Sequence, residues 1–419
     1  MTATDPTPEP GGGTSRAAFA RYWAGAAISS AGTAVTAVAM PVLVVQHLAA
    51  SPTEVGLVNA AQLVPYAALG LVAGAYVDRW PRKPVLVWSS VGRAVSLAAI
   101  PALGLTGLLD AWMLVVALLA LGSFSVFGFA ATQSLLPLLV PRGQLVTANA
   151  RLDQTDSAAQ TLGPAAGGAL VAAIGAPLAV ALDAVSYAVE ALLVAGMEVV
   201  EPARHDTRRR LHEEVREGLS WTYRHPSLGP LALSTHTWFL ANGIAMTTLA
   251  LLVLRTMSFS PAAYGALLTC SGLAGLAGTF AAARLGRRHG SGPVVVAARA
   301  AYPLAWGLVA ASTLVPHADV VVFVALAILG AAMGVSNANE MGLWQSQTPD
   351  VLMGRVNGAR RSVNRTLAAA GSAAAGILIT LTGVHLTLVV AVIGFGIAAW
   401  LTARGIARST EDVAAGTGR

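Results

Sequence analysis

The feature that most limits what this chain can fold into is a series of long apolar segments whose intervening basic residues collect on one set of ends. Hydrophobic residues make up 55% of its 419 residues, and Asp, Glu, Lys and Arg only 11%. A soluble chain carries roughly twice that charged fraction. A surface so poor in charge suits lipid, so the expected class is an all-α polytopic membrane protein.

A bilayer-spanning helix needs about 20 mainly apolar residues. Segments of that length cover approximately 19–45, 53–77, 84–107, 111–138, 143–173, 176–199, 227–253, 261–284, 292–314, 319–347, 352–380 and 384–403. They predict 12 transmembrane helices, with ten or fourteen as alternatives. The stretches are too long and too continuously apolar for the alternating strands of a β-barrel.

Basic residues orient the spans. Arg16 and Arg21 precede the first. Arg79, Arg82 and Lys83 follow the second, Arg142 the fourth, and the run from Arg204 to Arg224 lies between the sixth and seventh. Arg284, Arg287 and Arg288 follow the eighth, Arg355 the tenth, and Arg404 and Arg408 close the last. The opposite connections hold only Arg255. Both termini are therefore expected in the cytoplasm of a multi-pass protein of the inner (cytoplasmic) membrane. The net charge of +6 reads as a topology signal, and no nucleic-acid partner is expected.

Residues 1–15 read as a disordered tail, 16–200 as a first six-helix bundle, 201–226 as a cytoplasmic linker, 227–408 as a second bundle and 409–419 as a second tail. The start lacks a secretory leader's basic region and cleavage site. Within the linker, Leu211, Val215 and Leu219 are spaced four apart and predict a short amphipathic helix against the inner membrane face. Cys270, the single cysteine, excludes an intrachain disulfide or a cysteine metal cluster. The halves echo one another at an offset of 208: Gly122 and Gly330, Pro141 and Pro349, Asn149 and Asn357, Gly163 and Gly371. Repeated bundles enclosing a midplane site commonly work by rocking. Two pseudo-symmetric bundles are therefore expected, forming a monomeric carrier.

In the turn after the second span, GAYVDRWPRK, Gly74 permits close packing and Asp78 can accept backbone or arginine donors, while Arg82 and Lys83 hold the inner face. With Gly74, Asp78, Arg79, Arg82 and Lys83 in these places, the segment resembles the loop motif of the major facilitator superfamily. Pro81 and Tyr76 depart from the usual pattern. The resemblance implies that Asp78 latches the halves in the outward-facing state, with Arg355 and the donor end of helix eleven as partners. The second-half counterpart keeps Arg284, Arg287 and Arg288 but has no matching aspartate.

Gly163, Pro164, Gly167 and Gly168 resemble the same superfamily's antiporter motif, with Ala159 replacing its first glycine. Ordinary small-residue packing explains these residues equally well. Together with LVTANARLDQT, ALDAVSY and MGRVNGARR, the pattern is similar to the twelve-helix drug and siderophore exporters, including macrolide-efflux proteins. It implies proton-coupled export of a hydrophobic or amphipathic small molecule by alternating access. A siderophore, lipid or metabolite carrier, an uptake carrier, and a non-transporting membrane sensor or scaffold are the alternatives.

Ionisable residues inside spans face a partner or an aqueous cavity. Asp156, Asp183, Glu190 and Glu340 are the candidates for proton coupling. Arg151 is expected to pair with Asp153 or Asp156, and Arg93 is a more distant partner for Asp156. Asn59, Gln62, Tyr66, Gln133, Trp238, Asn242, Tyr302, Trp306 and Trp344 are candidates to line a substrate cavity, aromatic surface with a few amides suiting a bulky amphipath. For each, core packing is the plainer reading, as it is for His236. No phosphate-binding GxxxxGK loop, hydrolase triad or metal-ligand spacing occurs, so neither enzymatic activity nor a cofactor is expected. Lipids, protons and the carried molecule are the expected partners.

Overall fold

The computed structural model describes residues 12–77, 79–201, 211–316 and 318–416, and these are helical apart from turns. The helices are α1 (Gly12–Val42), α2 (Pro52–Ala61), α3 (Val64–Val77), α4 (Arg82–Leu105), α5 (Ala111–Leu139), α6 (Leu145–Ile174), α7 (Ala176–Ala195), α8 (Leu211–Arg224), α9 (Leu228–Leu251), α10 (Pro261–His289), α11 (Ser291–Ser312), α12 (Asp319–Gln347) and α13 (Asp350–Gly416). Nine helices among the described residues are long and apolar enough to cross a bilayer. The chain is an all-α polytopic membrane protein. Apolar side chains facing outward support this, with Leu105 90% and Phe280 83% exposed.

Three boundaries differ from the sequence expectation. The span over 53–77 is broken into α2 and α3, because Pro65 has no amide hydrogen and its ring crowds the carbonyl a turn earlier. The chain passes the break with the tighter bonds Leu63 N to Ala60 O and Tyr66 N to Leu63 O. At the other end α13 continues to Gly416, through most of the expected tail over 409–419, and α1 starts at Gly12, inside the expected tail over 1–15. A formed helix extends by one bond per added residue, so polar flanks can follow it into water. Finally, α13 contains a kink at Gly383, where φ is +83°. Glycine adopts that conformation without a side-chain clash, and the kink separates the two spans expected on either side of it.

Helices α1 to α7 pack mainly on one another: α1 on α6 and α7, α4 on α5 and α7, and α3 on α5. Helices α9 to α13 form a second set, with α13 on α9 and α11, and α12 on α10 and α11. Between the sets, α6 meets α10, and α13 meets α2 and α3. Lipid tails are as apolar as leucine, so these helices adhere by close packing. Gly168 and Gly265 show why small residues are needed there. A Cβ on Gly168 would lie 2.5 Å from the Pro261 carbonyl oxygen, and one on Gly265 2.2 Å from that of Pro164. The α2–α13 contact repeats the device with Gly56 and Gly376.

The ends of α1 and α9 are built alike. Each runs into a π-helical turn, Leu43–His47 and Leu252–Thr256. Each then passes through a residue of positive φ, Ala49 or Ser258, and reaches a serine N-cap and a proline that open the next helix. The two tips clasp one another. Gln46 Nε2 donates to the carbonyls of Leu254 (3.2 Å) and Phe259 (2.9 Å), and Arg255 Nη2 donates to that of Ala50 (2.6 Å). This clasp lies at the end of the helices opposite the basic turns.

Candidate functional site: two buried ion-pair clusters

The first set of helices encloses a charged cluster among α1, α4 and α7. Arg93 Nη2 lies 2.9 Å from Glu190 Oε2, and the Ser90 hydroxyl donates to the same oxygen at 2.9 Å. The Arg93 guanidinium also covers the Tyr187 ring at 4.3 Å, and the Tyr187 hydroxyl shares a 2.7 Å hydrogen bond with Thr33. One turn from Tyr187, buried Asp183 accepts from Thr36 (2.6 Å) and Ser186 (3.0 Å). Asp183 and Glu190 lie two turns apart on one face of α7, which lets a single helix present both carboxylates to the same neighbours. Hydroxyls serve Asp183, whereas a full countercharge serves Glu190.

The second cluster joins α9, α11, α12 and α13. Glu340 Oε2 accepts from Arg299 Nη2 at 2.6 Å, and its Oε1 accepts from the Thr235 hydroxyl at 2.9 Å. Arg360 of α13 approaches Oε1 at 3.9 Å while its guanidinium covers the Trp344 ring at 3.6 Å. Two guanidinium groups thus converge on one carboxylate. Such an arrangement is stable only because every charge keeps a partner at low polarity. Close by, His236 Nδ1 meets Asn364 Oδ1 at 2.6 Å and Nε2 meets the Tyr223 hydroxyl at 2.9 Å. An amide oxygen can only accept, so Nδ1 carries the ring proton and Tyr223 donates to Nε2. This chain of bonds ties α8 to α9 and α13. The ion pair between Arg355 and Glu217 of α8 ties them again.

A family model described as transmembrane secretion effector matches residues 13–416. The chain belongs to that family of major facilitator transporters. It is 28% identical over 370 residues to the multidrug efflux pump Tap of Mycolicibacterium fortuitum, covering 86% of this chain and 88% of Tap. It is 26% identical over 374 residues to the uncharacterized major facilitator-type transporter YfiS of Bacillus subtilis (strain 168), with 87% of each covered. Its fold matches that of the nucleoside transporter NupG with a TM-score of 0.73 at 12% identity, over 93% of this chain and 98% of NupG. The chain is therefore a multi-pass secondary transporter of the major facilitator fold, in a family of carriers rather than of catalysts.

Within this transporter the sequence candidates separate. Glu190, Asp183 and Glu340 sit in the buried clusters. Asp156 is exposed and accepts from Ser30 (3.0 Å) and Gln160 (2.6 Å). The expected partnership of Arg93 with Asp156 is corrected, since Arg93 spends its charge on Glu190. Arg151 forms no ion pair with Asp153 or Asp156 among the described residues.

The aromatic cavity candidates also need correction. Trp238, Tyr302 and Trp306 are buried, and each packs its ring against Phe395 of α13, so they form core rather than cavity wall. Trp344 is buried beneath Arg360. Large rings from α9, α11 and α13 fill the space between helices that small residues elsewhere close directly. By contrast Gln62 and Gln133 are exposed, and Tyr66 and Asn242 half-buried. Asn59 Nδ2 donates to Thr247 at 3.2 Å across the two sets of helices.

Asp78 lies outside the described residues, and Gly74 falls within α3. Around them, the turn is anchored by Glu201, whose carboxylate accepts from the backbone amides of Arg82 (2.8 Å) and Lys83 (3.0 Å) at the start of α4. Lys83 Nζ donates to the Met197 carbonyl at 2.6 Å, and Arg79 is exposed. In α6, Gly163 faces Ala34 and Gly167 faces Val35 of α1, while Pro164 and Gly168 face α10. The antiporter-like stretch thus acts as a two-sided packing seam.

Arg299, Thr235, Arg360, Arg361 and Arg365 were missed by sequence reasoning. A signal existed for Arg299, a charge inside the apolar run VVVAARAAYPLAW, where an ionisable group implies a partner. Thr235 carried none, because a threonine in an apolar helix ordinarily bonds its own backbone, as this one also does to Leu231.

Proposed function

We propose that this chain exports a hydrophobic or amphipathic small molecule by alternating access, driven by proton entry, and does so as two six-helix bundles rocking about the space between them. The observation that carries the reading is the pair of buried Arg–Glu clusters, one in each set of helices. The clasp of Gln46 and Arg255 supports an inward-facing arrangement, shut at the outer end. The likeness to a protein named as a multidrug efflux pump supports export.

In this reading Glu190 is the coupling carboxylate and Asp183 its neighbour. Protonation of Glu190 from the outer side removes the charge that holds Arg93. The guanidinium then keeps the Ser90 hydroxyl, the Ser89 carbonyl and the Tyr187 ring, and α4 is free to shift against α7. Deprotonation toward the cytoplasm restores the pair and resets the bundle. Asp78 serves as the latch at the inner end, with Arg355 near its partner helix. Asp78→Asn is expected to lower transport several-fold at equal membrane abundance, and equal transport would remove the latch.

The deciding experiment reconstitutes the full chain in proteoliposomes and screens dyes, antibiotics, lipids and siderophores by counterflow, with internal pH recorded. Substrate-driven proton movement is expected for an amphipathic compound. Counterflow insensitive to any pH gradient would overturn the proton-coupled reading.

A further inference from the structure

Among the arginines of the spans, Arg361 and Arg365 stand apart. Arg93 has Glu190, and Arg299 and Arg360 share Glu340. No carboxylate among the described residues lies within ion-pair distance of Arg361 or Arg365. Both are exposed, one turn apart on α13, so their guanidinium groups sit on one face of the helix. Like charges at that spacing repel, and no acid among the described residues of a neighbouring helix lies close enough to pair with them.

Each guanidinium instead rests on an aromatic ring contributed by the other set of helices. Arg361 lies 4.0 Å from the Phe129 ring centroid of α5, and Arg365 lies 5.5 Å from that of Tyr66 of α3. A ring face holds a guanidinium plane without using its N–H groups, which leaves the donor fork free for an oxyanion. The flanking rings offer apolar surface to the rest of a ligand.

We infer that Arg361 and Arg365, backed by Phe129 and Tyr66, form a subsite for the acidic head of an amphipath: a carboxylate, sulfonate or phosphate on an apolar body. The inference rests on the transporter reading above and narrows its substrate class. Arginines and rings belong to different sets of helices, so rocking the sets apart dismantles the subsite and releases the anion. The same chemistry would accept a free amphipathic acid or the headgroup of an anionic lipid.

The test uses the full-length protein in phosphatidylcholine nanodiscs and two pyrene probes with the same alkyl chain, one ending in a sulfonate and the other in a hydroxyl. The sulfonate is expected to bind about tenfold more tightly, the size of one charge-assisted hydrogen bond. The double variant Arg361→Gln with Arg365→Gln should abolish that preference while leaving affinity for the alcohol within about twofold. The variant Arg361→Lys with Arg365→Lys keeps the charge and should retain part of the preference, which separates recognition from misfolding. Equal binding of the two probes by the unaltered protein, or an undiminished preference in the Gln variant, overturns the subsite. Repeating the measurement with phosphatidylglycerol separates the sources: loss of sulfonate binding there assigns the subsite to a lipid headgroup, and persistence assigns it to the free acid. Counterflow of the same probes keeps the two readings distinct. Arginine-dependent binding without counterflow of either probe rejects transport of these amphipaths and keeps the subsite, whereas equal counterflow of both probes by every variant does the reverse.

Discussion

The two charged clusters use the same groups in different proportions. Between α4 and α7 one guanidinium meets one carboxylate, and a second carboxylate, Asp183, stands nearby on hydroxyl donors alone. Between α11, α12 and α13 two guanidinium groups share Glu340. Removing the charge of Glu190 strands one cation, which still has Ser90 and a ring. Removing that of Glu340 strands two that repel one another. Loss of charge at Glu190 therefore leaves less unpaired charge than loss at Glu340, which is why the proposal above takes Glu190 and not Glu340 as its coupling carboxylate.

The comparison breaks most visibly at Glu340. Glu340→Gln is expected to destabilise the protein by about 3–5 kcal/mol, the cost of leaving buried charge uncompensated. Thermal unfolding in detergent measures it, and Arg299→Met combined with Glu340→Met should recover part of the loss. Glu190→Gln should destabilise less and yet eliminate substrate-driven proton movement in proteoliposomes. If proton exchange survives there and fails in Asp183→Asn, the coupling role moves two turns along α7. At the clasp, Arg255→Ala removes a charged donor worth about 1.5–3 kcal/mol to the closed outer end. Labelling of a cysteine placed at position 50 should then speed up by roughly tenfold or more, since each 1.4 kcal/mol shifts a population tenfold. The smallest effect is expected at Trp306. Trp306→Phe should lower stability by about 1–3 kcal/mol and leave substrate preference unchanged, and an altered preference would return that residue to the cavity wall.

Much of the fold was legible because lipid enforces a simple rule. A spanning segment must satisfy its own backbone and present apolar side chains, so length and hydropathy expose it. The exceptions are local: Pro65 breaks one span, and Gly383 kinks a helix whose sequence reads as two spans. The candidate site was legible only in part. Asp183, Glu190 and Glu340 could be named because carboxylates in apolar runs are conspicuous. Arg93 is visible too, but its partner is not: nothing in a linear sequence says which helix faces α4, so Asp156 and Glu190 are equally eligible until the helices are packed. The aromatic candidates failed for a related reason: a tryptophan suits a cavity wall and a core equally well, and only packing against Phe395 separates the two.

Sequence by itself determined that the chain crosses a membrane many times, which turns carry positive charge, and which carboxylates lie within the spans. These follow from the transfer of single residues between water and lipid. Tertiary structure alone decided that Glu190 belongs to Arg93, that Glu340 answers to two arginines, and that Arg361 and Arg365 meet aromatic rings and, among the described residues, no carboxylate. Ion pairing falls off over a few ångströms, and such proximity depends on how helices distant in sequence are turned toward one another.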